Sequence, residues 1–211
     1  HQARRGANAG SSRKRAQLLV IAPWLVLNGT MEFDFQPELS GAHLTLRPLR
    51  MDDFEPLFAA ASDHLIWALH PDPARYQRDV FERNFFRPAL PTSGGKGALV
   101  VIDKGTNTLI GSSRYYEWDP AHQSVAIGYT FLARSHWGGA FNRELKGLML
   151  EHAFSQARRV WFHVGVDNLR SRRAMEKIGG QLSHVEPRDQ SGRQIDNAYY
   201  FIDRDAPGIF A

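Results

Sequence analysis

The turn Trp137-Gly138-Gly139-Ala140 runs straight into a helical stretch, and that juxtaposition has a chemical use. A helix begins with backbone N–H groups that lack an intrahelical acceptor, and the aligned peptide dipoles add partial positive charge there. Two glycines leave those N–H groups uncovered, so the turn suits an oxyanion, a pyrophosphate above all. Further on, Asn168-Leu169-Arg170-Ser171 opens a second helix with a capping amide and a hydroxyl in its first turn. The chain has no cysteine, which excludes a thiolate nucleophile, a thiolate metal site and a disulfide, and suits a reducing, cytoplasmic setting. Its nine histidines show no metal-ligand spacing, so no metal is expected.

Such a turn needs a strand that ends at it and a helix that leaves it. Residues 125–131 are nearly all apolar, as are 160–166, the pattern of strands buried on both faces. Between them Phe141, Leu145, Leu148, Met149 and Ala153 recur at helical spacing, which predicts a strand, helix, strand unit. Upstream, residues 98–103, 109–118 and 123–131 read as an antiparallel meander, broken by Lys104-Gly105-Thr106-Asn107 and Asp119-Pro120-Ala121-His122. The body opens with a strand at 44–49 and a helix capped by Met51-Asp52-Asp53. A second helix spans 73–90, closed by Pro88 and Pro91, and a flexible stretch covers 92–97. Residues 168–178 form a short helix with Asn168 as N-cap and Gly179-Gly180 as its stop. Strands near 182–186 and 195–202, joined by Gln190-Ser191-Gly192-Arg193, complete an α/β domain on a mixed sheet.

At 211 residues and 43% hydrophobic content the chain can bury one sizeable core. Its sequence pI of about 9.6 invites a nucleic-acid reading, so the position of the charge matters. Residues 1–30 carry five bases and no acid, whereas the body from Met31 carries 21 bases against 22 acids. The basic character therefore belongs to 1–30, a basic and then apolar stretch. It is expected to be a leader added at expression or translated from upstream, ahead of a single domain over 31–211. Its apolar run at 18–27 contains Pro23 and is too short to span a membrane. Neither a nucleic-acid nor a membrane partner is expected. Within the body, residues 134–178 hold nine bases and four acids, and the rest twelve bases and eighteen acids.

The order of elements, the glycine turn and Asn168-x-x-Ser171 through Glu176-Lys177-x-Gly179 resemble the GNAT superfamily of acyl-CoA N-acyltransferases, specifically its RimJ/RimL-like branch, over about 44–202. The resemblance implies a central, mostly antiparallel sheet whose fourth and fifth strands splay apart, with flanking helices. It implies acetyl-CoA as cosubstrate, with the pyrophosphate on Trp137, Gly138, Gly139, Ala140, Phe141 and Asn142. The pantetheine arm would lie along Ile127, Gly128, Tyr129, Thr130 and Phe131, flanked by Asn168, Ser171 and Arg172. Where the family's loop opens with Gln or Arg this chain has Ser135, which leaves a backbone-only pyrophosphate site. A homodimer is a further expectation from the resemblance.

The implied chemistry is transfer of an acetyl group to a primary amine, borne by a small molecule or by a protein or peptide. A backbone N–H in 127–130 would polarise the thioester carbonyl, and Ser171 or a tyrosine would protonate the departing sulfur. Many relatives place a glutamate base where this chain has Ala126; Glu117, Asp119 and His122 are the substitutes on neighbouring elements, or a water chain without a single base. The aromatics Trp67, Tyr115, Tyr116 and Trp118 are candidates for the acceptor pocket, and the acidic remainder of the body suits a cationic amine. Two rival readings stand beside this one: a catalytically silent CoA-binding regulatory domain, and a basic nucleic-acid-binding module.

Overall fold

A computed structural model describes residues 32–91, 96–190 and 192–206. The leader read over 1–30, Met31, residues 92–95 and Ser191 of the last turn lie outside the described residues.

Strands β1 (Leu39–Ser40), β2 (Leu44–Pro48), β3 (Leu99–Asp103), β4 (Thr108–Asp119), β5 (Ser124–Leu132), β6 (Arg159–Gly165), β7 (Gln181–Gln190) and β8 (Arg193–Asp203) form one sheet, in the order β1-β2-β3-β4-β5-β6-β8-β7. Every neighbouring pair is antiparallel except β5 and β6, which run parallel. The mixed, mostly antiparallel sheet with flanking helices is the expected fold class. The two-residue β1 was not legible in the sequence and shifts the strand count by one, so the splayed pair of the resemblance is β5 and β6.

Helices cover both faces. In β3, Leu99 and Val101 face one apolar cluster while Val100 faces the other, which is why the strand reads as a continuous apolar run. On the first face lie α5 (Ala140–Phe154) and α6 (Leu169–Lys177), with Leu145, Met149 and Met175 packed against Val125, Ile127 and Phe162. On the second lie α1 (Phe54–Ala61), α2 (His64–Trp67), α3 (Arg78–Phe81) and α4 (Arg87–Ala89). There Trp67, Phe81, Phe85 and Phe131 form a chain of ring contacts at 5.1 to 6.4 Å. Each such fully buried ring is worth about 2–3 kcal/mol of transfer free energy.

The single helix expected over 73–90 is corrected to several pieces. A 3-10 turn at Pro73–Tyr76 ends where Gln77 turns extended, at φ −84 and ψ 135. After α3 the chain runs through a π-helical segment at Glu82–Phe86 into α4. Pro88 supplies no N–H to a helical ladder, and at its entrance the Arg87 N–H reaches five residues back to the Glu82 carbonyl. The apolar spacing survives because each piece still turns Phe81, Phe85 and Phe86 inward.

The end of β2 is tied to the start of α1 by one nearly buried carboxylate. Asp53 accepts Arg47 Nη1 at 2.8 Å, Arg47 Nη2 at 2.7 Å and the Arg50 N–H at 2.8 Å. Burial acts to raise the Asp53 carboxyl, but these hydrogen bonds outweigh it and hold it below the usual carboxylate range. Stability from a lowered carboxylate is complete above its unfolded pKa of about 3.9 and is lost as the pH falls through the lower folded value. Asp53→Asn is expected to lower the unfolding free energy by about 2–4 kcal/mol at pH 7. In urea titrations the gap to the parent protein should close as the pH drops below about 4, and a gap independent of pH would refute the role of the ion pair.

Candidate active site

Parallel pairing between β5 and β6 is confined to Ser124↔Arg159, Val125↔Val160 and Ala126↔Trp161. Beyond Ala126 the strands part. The β4–β5 register explains why: Ser112 pairs Phe131 and Arg114 pairs Gly128, so β5 carries one residue more than β4 across that stretch. Tyr129, inside the bulge, sits at φ +52, a left-handed conformation that costs a non-glycine residue about 1–2 kcal/mol. The bend leaves the β6-facing backbone edge of β5 without ladder partners. It opens a cleft of about 190 Å³, lined by Ile127 to Thr130 of β5, Phe162 to Gly165 of β6, Asn142 and Lys146 of α5, and Asn168, Ser171 and Met175 of α6.

The glycine turn stands at the N-terminus of α5, whose first turns supply Asn142 and Lys146 to the cleft. Gly138 has φ +73, and a Cβ there would meet nothing within 4 Å, so backbone conformation and not crowding selects glycine. Gly139 is the N-cap, no side chain caps the helix, and its first turn holds no acid. The N–H groups of Gly138, Gly139 and Ala140 make no hydrogen bond to another described residue. Trp137 anchors the turn: its indole N–H donates to the Leu132 carbonyl at 2.9 Å, and the Arg170 guanidinium lies 4.1 Å over its ring. Phe141 packs on the His136 ring at 4.8 Å. The result is an uncapped helix N-terminus whose first turns reach the cleft through Asn142 and Lys146.

Helix α6 begins and ends as its sequence predicts. The Asn168 side chain accepts the Ser171 N–H at 3.1 Å, and after Gly179, at φ +87, the Gly180 N–H returns to the Met175 carbonyl at 2.9 Å. The cap places Ser171 on the cleft wall. Arg172, one residue and about 100° further round the helix, does not line the cleft. Its guanidinium bonds the Tyr200 hydroxyl at 3.1 Å and the Val166 carbonyl at 3.2 Å.

The candidate bases are dispersed. His122 is exposed in the β4–β5 turn, 2.6 Å from Asp119, and lines neither this cleft nor its neighbour. That turn leads into the end of β5 still paired to β6, away from the splay. Glu117 is exposed at φ +52 and ion-paired with Arg188. Of the four aromatics considered, Trp67 lines the cleft and Tyr116 a second cavity. Tyr115 is fully buried with its hydroxyl on the Met149 carbonyl at 2.8 Å, and Trp118 packs against the core.

The second cavity, of about 300 Å³, shares Arg75, Tyr129 and His163 with the cleft and adds Arg114, Tyr116 and Arg188. Its wall carries three guanidinium groups, those of Arg75, Arg114 and Arg188, and one acid, Asp189. Arg188 Nη1 donates to His163 Nδ1 at 2.9 Å, as close as the Tyr116 hydroxyl, and because a guanidinium only donates, His163 carries its proton on Nε2. Burial, then the Arg188 charge, push His163 down to about 4, and burial raises Tyr116 well above the ordinary phenol. Both are neutral near pH 7. Sequence reasoning missed Arg75, Arg114, His163, Arg188 and Lys146. Their signal is period-two spacing, Arg114 with Tyr116 in β4 and Arg188 with Gln190 in β7, which does not say which face the two strands share.

Among the described residues no group of three or more His, Asp or Glu is arranged to hold a metal, and no helix is long and apolar enough to cross a membrane.

Residues 43–181 match the family described as Acetyltransferase (GNAT) domain. A GCN5-related N-acetyltransferase from Brucella melitensis is similar with a TM-score of 0.67 at 23% identity, over 80% of this chain and 79% of that one. An acetyltransferase (GNAT family) from Bacillus anthracis gives 0.61 at 20% identity, over 79% and 98%. Spermidine N-acetyltransferase from Vibrio cholerae, solved in complex with CoA and spermine, gives 0.59 at 22% identity, over 77% and 96%. At these identities the likeness is one of fold. No curated protein matches the chain.

Lys146, 3% exposed, meets one hydroxyl, Thr130 Oγ1 at 2.9 Å, and the Phe162 ring at 5.4 Å; burial lowers its ammonium to about 7. Between about pH 7 and its unfolded value of about 10.4 the unfolded chain binds more protons at this site, so the group makes stability rise with pH across that window. Lys146→Met is expected to be more stable than the parent at pH 6 by about 1–4 kcal/mol. Denaturant titrations at pH 6, 7.5 and 9 should show that advantage shrinking as the pH rises. A constant difference would refute the buried ammonium.

Proposed function

The chain belongs to the GNAT acetyltransferase family, and on that premise we propose that it is an N-acetyltransferase carrying the acetyl group of acetyl-CoA to a primary amine. One observation carries the reading: a strand pair that stops pairing after three residues stands beside an uncapped glycine turn at a helix N-terminus. An extended arm with amide groups fits the unladdered edge of β5, and a pyrophosphate fits the N–H groups of Gly138, Gly139 and Ala140. Asn168-x-x-Ser171 through Gly179 supports assignment to the RimJ/RimL-like branch.

In this reading the amine enters through the second cavity and meets the thioester beside Tyr129 and His163. Its nitrogen forms the C–N bond as the C–S bond breaks, with a β5 N–H polarising the carbonyl oxygen and the Ser171 hydroxyl giving its proton to the thiolate. Ala126 is 1% exposed at the last paired position, and Glu117 is held by Arg188, so water in the cavity takes the proton from the amine. The alternative of a silent CoA-binding domain predicts no release of free CoA thiol with any amine; turnover distinguishes the two.

Gly139 has φ −108 and ψ −162, a conformation open to any residue, and a Cβ there would meet the Phe141 ring no closer than 3.9 Å. Gly139→Val should therefore leave the free domain's stability within about 0.5 kcal/mol while weakening CoA binding roughly tenfold or more, because the branched side chain covers the N–H groups. Calorimetry that finds unchanged affinity would remove the phosphate site from the turn. For Ser171→Ala, turnover should fall roughly 10- to 100-fold with CoA affinity retained. Equal turnover would reduce Ser171 to a helix-start residue.

A further inference from the structure

Three guanidinium groups converge on the second cavity, and their partners differ. Arg75 Nε is 3.2 Å from Asp72, whose carboxylate also accepts the Asn84 amide at 3.0 Å. Arg188 pairs with Glu117. Arg114 has neither. No described carboxylate lies within ion-pair distance of it, its Nε is buried without a hydrogen-bond partner, and its guanidinium lies 3.4 Å from the centre of the Tyr129 ring. The remaining acid on the wall, Asp189, accepts the Gly192 N–H at 3.1 Å and so belongs to the β7–β8 turn.

A partly buried cation with no carboxylate beside it is costly to keep, and the ring face beneath it recovers only part of the lost hydration. An incoming oxyanion supplies what the chain withholds: a planar acceptor for the planar fork of an arginine, with Arg75 and Arg188 adding field from either side. Tyr129 joins the two cavities, since it lines both and carries Arg114 on its ring. A molecule whose anion sits at Arg114 thus holds its amine toward the bulge of β5.

We infer that the acceptor amine of this enzyme carries an oxyanion, a carboxylate or a phosphate, and that Arg114 receives that group in the second cavity. The inference rests on the acetyltransferase reading and narrows its acceptor. A polycation would meet three guanidinium groups here against one acid, Asp189, while the nearby Asp72 and Glu117 are ion-paired with Arg75 and Arg188.

Two measurements test it. In the first, thiol release from acetyl-CoA is followed with matched acceptors: 4-aminobutyrate against butylamine, glucosamine 6-phosphate against glucosamine, and spermidine. The member with the oxyanion is expected to be preferred roughly 10- to 100-fold in kcat/KM in at least one pair, and which pair responds separates carboxylate from phosphate. Arg114→Met should abolish the preference by raising KM for the acceptor while leaving KM for acetyl-CoA unchanged. Arg114→Lys, which keeps the charge and loses the fork, should restore part of it. Thiol release with equal efficiency on charged and uncharged members, or best with spermidine, overturns the inference and leaves the acetyltransferase intact.

In the second, the free protein and Arg114→Met are heated in rising concentrations of inorganic phosphate and of glutarate. The glycine turn is the same in both proteins, so a Tm rise confined to the parent belongs to Arg114. If no amine supports thiol release, the acetyltransferase reading fails. A confined Tm rise would then still support the anion site, and parallel shifts would overturn it.

Discussion

Eight strands share one sheet, yet β5 and β6 hydrogen-bond through only three residue pairs, and what the molecule can do follows from where that pairing stops. A parallel pair that continued would satisfy both edges and leave no room between them. The extra residue in β5 opposite β4, with Tyr129 held left-handed, turns the strand away, while β6 remains paired to β8 over its full length from Arg159 to Gly165. The cost of the strained residue is carried by the packing on either side. Ile127 is buried in one apolar cluster and Phe131 in the other, so the bulge is clamped at both ends.

The same bulge couples the two cavities. Ile127 to Thr130 wall the cleft that Asn142 and Lys146 of α5 also line, and Tyr129 carries Arg114 on its ring at the boundary of the second cavity. Charge is distributed accordingly. The N-terminus of α5 presents backbone N–H groups with no side-chain cap, while the second cavity concentrates guanidinium groups, two of them already paired with Asp72 and Glu117. Lys146 lies beneath the cleft with a single hydroxyl for company, a second buried cation whose ammonium is lowered by the absence of water. Segment-wide charge counts do not show which wall is cationic, because most acids of the remainder serve local turns and pairs, such as Asp53 with Arg47 and Asp119 with His122.

Much of the architecture was legible from residue pattern. The α5 and α6 helices, the meander of β3 to β5 and the glycine stop at Gly179 follow from apolar spacing and capping chemistry, which act within a few residues of one another. The helix at 73–90 was misread because Gln77 and Pro88 impose breaks that an apolar period does not register, and β1 escaped notice because two residues carry no period at all. The turn of α6 points Arg172 at Tyr200, a contact that its place beside a capped helix start does not reveal.

By itself the sequence determined the order of strands from β2 onward with α5 and α6 between them, the glycine turn, the cap that sets Ser171, and the absence of cysteine chemistry. Each depends on short-range stereochemistry or on composition. Only the tertiary structure decided that β5 and β6 part after Ala126, that Arg75, Arg114 and Arg188 meet on one wall, and that His122 stands at the wrong end of β5. Those facts depend on pairing between strands far apart in sequence: Arg114 and Arg188 line one cavity although β5, β6 and β8 stand between β4 and β7 in the sheet. Local pattern fixes which face a side chain takes relative to its neighbours, and long-range pairing fixes what that face looks at.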